Sequence, residues 1–248
     1  MEKINEFSAD FLINTIIKEL NNNAEIQSVI TTDIKKIGNY DIINLQRLGN
    51  LVFIPDIISI YELVNGFRAS WNYKGRIGGE INMLDIASVG LGYDDEFWKK
   101  DWKKYKTKDD KVFRQFWEKL SSLDIFENSS DGVIRVVAEL ESKHPEPQSP
   151  PLWLWHLAGE KYPLTLDIPQ YWQMLGKTRG FIGWPYFFID LEKCRFDDPF
   201  FKKYFSSSVF EAIPYMEDFL KTMPILFPDD DFSEFEVLFR KLKSTLEE

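Results

Sequence analysis

Two histidines, one cysteine and 40 carboxylates are the residues with which this chain could do chemistry. His144 stands at the start of a proline-rich segment, and His156 lies in an alternating run. Neither belongs to a His-Glu-x-x-His arrangement or sits beside paired cysteines, the spacings that assemble a tetrahedral zinc site. His156 reads as a strand residue satisfied by a neighbour. Cys194, in EKCRFD (192–197), has no nucleophile signature around it and reads as a packed thiol. As the sole cysteine it has no intrachain partner, which fits a reducing compartment without requiring one.

Glycine-rich and acidic runs need the same test. KGRIGGE (74–80) lacks the Gly-Lys-Ser/Thr ending that puts a lysine and a metal-binding hydroxyl on phosphates. GLGYDD (90–95) begins like a dinucleotide turn, but its carboxylates would repel a pyrophosphate. Both read as turns. Asp229, Asp230 and Asp231 resemble the start of a calcium loop, yet Glu234 replaces the required glycine and Arg240 the bidentate glutamate. They read as carboxylates at a helix N-terminus, where negative charge is favoured. A glycosidase would need two carboxylates facing one cleft, and nothing in the sequence selects such a pair. No cofactor or metal is expected.

One segment departs from the acidic background. From Asp94 to Lys111, seven lysines interleave with Trp98, Trp102 and Tyr105. As an ordinary amphipathic helix, the lysine stems would cover the segment's own tryptophans. As a partner-binding helix, it would offer aromatic anchors inside a charged rim. On composition, Asp94, Asp95, Trp98, Trp102, Trp153 and Trp155 are the candidate partner-binding residues.

The elements that must position these groups centre on Ile54–Ile86. Pro55 suits a first helical turn, where its missing N–H is not needed, and Asp56 complements the helix N-terminus. Ile57, Ile60, Tyr61 and Val64 fall on one helical face. Asn65 and Gly66 end the helix, because glycine tolerates the left-handed angle a helix C-terminus often takes. Phe67, Ala69, Trp71 and Tyr73 alternate as a half-buried strand. Gly75, Gly78 and Gly79 are expected to make the turn, and Ile81 and Met83 to start the return strand.

That helix, ending YELVNGF and running straight into a hairpin, resembles the SUKH superfamily. The family is named in part for a fungal regulator of cell-wall assembly, and its bacterial members are mostly immunity proteins that neutralise toxins. GGEINML (78–84) looks like the family's second strand, and further resemblance lies in IPQYWQML (168–175) and RGFIGW (179–184). The likeness covers roughly residues 50–185. It implies an α+β domain and a protein partner, and it transfers no partner-contacting residue to this chain.

Elsewhere the periodicities are mixed. Residues 8–20 read as a helix capped by Ser8, with Phe11, Leu12, Ile16 and Leu20 inward. Residues 24–50 carry Ile26, Ile30, Ile34 and Ile37 at spacings that settle no element. Trp98, Trp102 and Tyr105, then Phe113, Phe116, Trp117 and Leu120, read as helical faces. Val133–Leu140, Leu152–Leu157 and the alternating Leu164, Leu166 and Ile168 read as an antiparallel meander, with Pro145–Pro151 an exposed loop. Ser233 and Glu236 read as a capping box before an amphipathic helix carrying Phe235, Leu238, Phe239, Leu242 and Leu246.

A chain of 248 residues buries a sizeable core without disulfide or metal. Its 21 Phe and 8 Trp exceed what a minimal core needs, and the surplus divides between a bulky interior and a recognition surface. Thirty basic against 40 acidic residues give a net charge of −10 and a pI near 4.9. That disfavours nucleic-acid backbones and suits a basic partner. The first residues form neither a basic leader nor a long apolar stretch, and no apolar run has bilayer length. The protein is expected to be cytoplasmic and non-membrane.

Together these readings predict a single α+β domain over 1–248: a central, mostly antiparallel sheet, helices packed on one side, and helices at both chain ends. Its core lies at about 50–185, flanked by N-terminal helices and a C-terminal helical extension. The function expected is non-catalytic binding of a protein partner, a toxin domain neutralised by direct contact, by a monomer or weak homodimer. The alternatives are a regulator or scaffold of the cell-wall-regulator type, and a carboxylate-dependent hydrolase.

Overall fold

The computed structural model describes residues 9–33, 37–49, 55–87, 124–128, 134–138, 151–156, 161–194 and 196–247. Within these, helix α1 (Ala9–Asn22) is followed by strand β1 (Ile26–Thr31) and helices α2 (Asn39–Gly49) and α3 (Pro55–Leu63). Strands β2 (Phe67–Tyr73), β3 (Arg76–Met83), β4 (Asp124–Asn128), β5 (Ile134–Ala138), β6 (Leu152–His156) and β7 (Lys161–Pro163) come next. Helices α4 (Ile168–Thr178), α5 (Pro199–Leu226) and α6 (Ser233–Glu247) close the chain, with two short 3-10 turns at Trp184–Phe188 and Leu191–Lys193. The fold is α+β, with helices at both ends.

The seven strands form one sheet in chain order, every neighbouring pair antiparallel. One face carries Phe67, Ala69, Trp71, Tyr73, Ile81, Met83, Val136, Leu154 and Tyr162, all buried in a core shared with the helices. Each helix contributes its periodic stripe to that core: Ile13, Ile16 and Leu20 from α1, Ile57 and Tyr61 from α3, and Phe235, Phe239 and Leu242 from α6. Phe187, Phe219 and Phe235 meet edge-on or tilted at centroid distances of 4.7–5.2 Å. Such aromatic pairs add roughly 0.5–1.5 kcal/mol each beyond burial. Much of the phenylalanine surplus is therefore interior. The opposite face holds a small cluster of Val137, Leu84 and Trp153.

Several expectations shift. The turn between β2 and β3 is only Lys74 and Gly75, both at positive φ (49° and 77°), the two-residue geometry that matches strand twist. Gly78 and Gly79 sit inside β3, which already begins at Arg76. Their job is steric. A Cβ on Gly78 would stand 2.2 Å from Trp71 Cζ3, and one on Gly79 would stand 2.4 Å from Trp71 Nε1. The last meander strand ends at Pro163, before the alternation of Leu164, Leu166 and Ile168. Asp167 instead caps α4: its carboxylate accepts from the Gln170 amide at 2.8 Å, and Gln170 accepts from the Asp167 amide at 3.0 Å. Reciprocal capping outcompetes a three-position alternation.

Residues 24–50, which carry no clear period, hold β1 and α2. β1 lies at the sheet's edge, so its inward residues are only half covered and its pattern is weak. α5 has no single sequence signature because Pro214 and Pro224 interrupt it. Its buried Phe205, Val209, Ala212, Met216, Phe219 and Met223 outweigh a proline cost of about 3 kcal/mol each. Ser8, the helices expected within 94–120 and the loop through residue 150 lie outside the described residues.

Candidate functional site

The hairpin base is where the sheet opens into a cleft of about 460 Å³. Thr32 and Asp33 reach it from the end of β1, Asn65 and Gly66 from the α3–β2 junction, and Arg68 from β2. Asn82 and Asp85 come from the end of β3 and the turn beyond it. Local chemistry holds the walls. The Asn65 side-chain oxygen accepts from the Ile86 amide at 2.9 Å, fastening the α3 terminus to the chain leaving β3. Gly66 has φ of +80°, and a Cβ there would lie 3.3 Å from the Asp85 backbone nitrogen. Thr32 is held at both ends: its amide donates to the Arg68 carbonyl, and its hydroxyl oxygen accepts from the Arg68 amide, each at 2.9 Å.

The cleft thus offers two carboxylates and a guanidinium, while Asn82 is buried in its wall and the Asn65 oxygen is engaged by the Ile86 amide. Such a cleft recognises cationic and hydrogen-bonding groups by directional polar contacts. Among the described residues, no three His, Cys, Asp or Glu side chains come together in a way that could hold a metal ion.

A second polar cluster is internal. Arg179 follows α4 in the left-handed conformation and is almost wholly buried. Its guanidinium donates to Glu19 from Nε (3.0 Å) and Nη2 (2.7 Å) and to the Lys177 carbonyl at 2.6 Å, and pairs with Asp230. The Phe227 ring lies 4.1 Å from its centre. This knot joins α1, α4 and the α5–α6 connection. Asp230 is consumed by it, and Asp231 accepts from the Ser233 amide at 2.9 Å, holding its carboxyl below the usual range. Both aspartates therefore act within the fold.

Trp153 and Trp155 project from β6 on the face of Val137, away from the main core, and are half-buried and 2% exposed respectively. Asp94, Asp95, Trp98 and Trp102 lie outside the described residues. Cys194 is partly buried; burial, with Asp190 nearby, pushes its thiol up to about 12. At neutral pH it is a protonated thiol, a poor nucleophile.

The cleft residues Asp33, Arg68, Asn82 and Asp85 carried no sequence signal of their own. Only Asn65 and Gly66 were legible, as a helix stop. Asp33 follows a strand the periodicity could not place, and Asp85 becomes a neighbour of Gly66 only when the hairpin folds back.

Among the described residues no helix is long and apolar enough to cross a membrane. Compared with protein-family models, curated proteins and solved structures, the chain shows no significant match.

Proposed function

We propose that this chain is a non-catalytic, SUKH-type binding protein that neutralises a toxin by direct contact, leaving the toxin's covalent structure intact. The reading is carried by one observation: the Pro55–Leu63 helix stops at Gly66 and feeds directly into the β2–β3 hairpin, and the acidic cleft opens at that junction. The helix and hairpin are the residues on which the family resemblance rests. Asp33 and Asp85 outnumber the one cation of the cleft, Arg68, which suits the lysine- and arginine-rich surface of a basic toxin domain, and the net charge of −10 favours the encounter.

The test is growth rescue. A protein retained by the purified chain from its native host is expressed alone in a second host, and growth is scored with and without this chain. Rescue, with the retained protein recovered at unchanged mass, is expected. Retained proteins that are harmless alone, or whose toxicity this chain leaves untouched, would overturn the reading.

A second reading rests on the same cleft. Two aspartates in one cleft are what a carboxylate-dependent hydrolase requires. Asp33→Asn and Asp85→Asn separate the two: a hydrolase loses activity while still binding its target, whereas a binding protein loses function only as far as it loses affinity.

A further inference from the structure

β1 ends the sheet and, among the described residues, pairs with β2 alone. One bond fixes which of its backbone groups face inward. The Thr32 amide donates to the Arg68 carbonyl, so the alternation of an antiparallel ladder gives Ile30 and Ser28 the inward bonds to Ser70 and Asn72. The N–H and C=O groups of Val29 and Thr31 therefore point away from the sheet. Sheet edges are usually blunted by proline, lysine or an inward charge. The sequence of β1, IQSVIT, holds none of these, and its bulge lies at the far end, between Ile26 and Ser28. β7, the opposite edge, is three residues long and ends in Pro163. Ile30 is 66% exposed, and Thr31, Thr32 and Asp33 are exposed beside it.

The flanking charges select the occupant. Exposed Glu25 and Asp33 bracket β1. A second copy paired antiparallel about Val29 would bring the Glu25 that flanks one strand towards the Asp33 that flanks the other at both ends of the ladder, and like charges brought together are destabilising. Two chains of net charge −10 also repel. A strand bearing lysine or arginine at the two ends reverses both effects. Each end also has a cation, Lys74 near Glu25 and Arg68 in the cleft with Asp33, and Asp85 leaves the cleft end net negative, so the Asp33 end carries more of the selection.

We propose that β1 is the docking edge for an extended strand of a basic partner protein, hydrogen-bonded to Val29 and Thr31 and clamped by its basic ends at Glu25 and Asp33. The proposal rests on the reading of this chain as a protein-binding protein and names how the partner is held.

The test uses the full chain, isotope-labelled, with two synthetic nonapeptides, KTVTQTVTK and ETVTQTVTE, at millimolar concentration. The basic peptide is expected to slow amide exchange at Val29 and Thr31 at least tenfold, and the acidic peptide to leave it unchanged. The E25K/D33K variant should exchange those preferences. Val29→Pro, which removes an outward N–H and no inward bond, should abolish the protection at Thr31. Equal protection by both peptides, protection by neither, or unaltered binding of the basic peptide to the charge-reversed variant would overturn the proposal. Growth rescue by wild type and E25K/D33K alike would remove the edge as the site while the binding function stands. Peptide capture at β1 by a chain that rescues nothing would support the edge and sink the toxin-neutralising role.

Discussion

The indole N–H of Trp71 donates to the carbonyl of Arg179 at 2.9 Å, across 108 positions of sequence. It joins the centre of the hairpin to the residue that ends α4. Around it the two segments run backbone to backbone: the Glu80 amide donates to the Gly180 carbonyl at 2.7 Å, and the Ile182 amide to the Gly78 carbonyl at 3.2 Å. Gly78, Gly79 and Gly180 leave room for this approach. A Cβ on Gly180 would stand 2.6 Å from the Glu80 carbonyl oxygen. The motifs that carry the family resemblance, GGEINML and RGFIGW, thus meet each other in the interior.

Gly78→Ala should destabilise the protein by at least ~2 kcal/mol, because the new methyl must displace the buried Trp71 ring, and overpacking typically costs about 1–3 kcal/mol. Gly75→Ala is its control: open space surrounds that position, so only the positive φ of 77° is penalised, by about 1 kcal/mol. Urea unfolding of both variants checks the order; a Gly78→Ala variant no less stable than Gly75→Ala would contradict the packing account.

Arg179→Lys keeps the charge but loses the fork that serves Glu19, Asp230 and the Lys177 carbonyl together. Glu19 and Asp230 are both partly solvated, with side chains 40% and 35% exposed, so the ion pairs themselves contribute modestly. We expect a loss of about 1–2 kcal/mol, mostly from hydrogen bonds to a charged donor and the Phe227 stack. Thermal unfolding measures it. A fall in Tm no larger than that of an exposed Lys241→Ala control would refute the role of the knot.

Asn65→Ala should lower stability by about 1 kcal/mol through the amide of Ile86, and it should loosen the cleft. Exchange of the Ile86 amide should accelerate more than that of Val64, whose amide bonds to the Ile60 carbonyl within the helical ladder. Equal acceleration at both sites would mean that Asn65 stabilises the fold only globally.

Cys194 supplies a pH dependence of definite sign. Its folded pKa, raised to about 12, lies above the ordinary thiol value near 8.5. The unfolded chain therefore loses this proton first as pH rises. The stability tied to the thiol is fully present below pH ~8.5 and is lost progressively as pH climbs towards the folded value. Cys194→Ala should flatten the decline of stability above that pH. In the native protein, iodoacetamide should alkylate the thiol far more slowly at pH 8 than in urea; equal rates would show an unburied cysteine.

Local chemistry was enough to place some elements from sequence. A proline start, a 3-4 stripe and an Asn-Gly stop define α3, and strict alternation defines β2, because helix and strand periodicities are properties of consecutive residues. The final amphipathic helix was legible for the same reason. Three things depended on tertiary structure. β1 is recognised only through its pairing with β2, since an edge strand buries too little to show its period. α5 exists because its aromatic stripe packs against the 3-10 turn and α6 strongly enough to carry two prolines. Gly78 and Gly79, which read as turn residues, are set inside a strand by a tryptophan ring that no local pattern announces. The cleft follows the same logic. Asp33, Arg68 and Asp85 come from separate segments, and only the folding of β1, β2 and β3 into one sheet brings them to a common cleft.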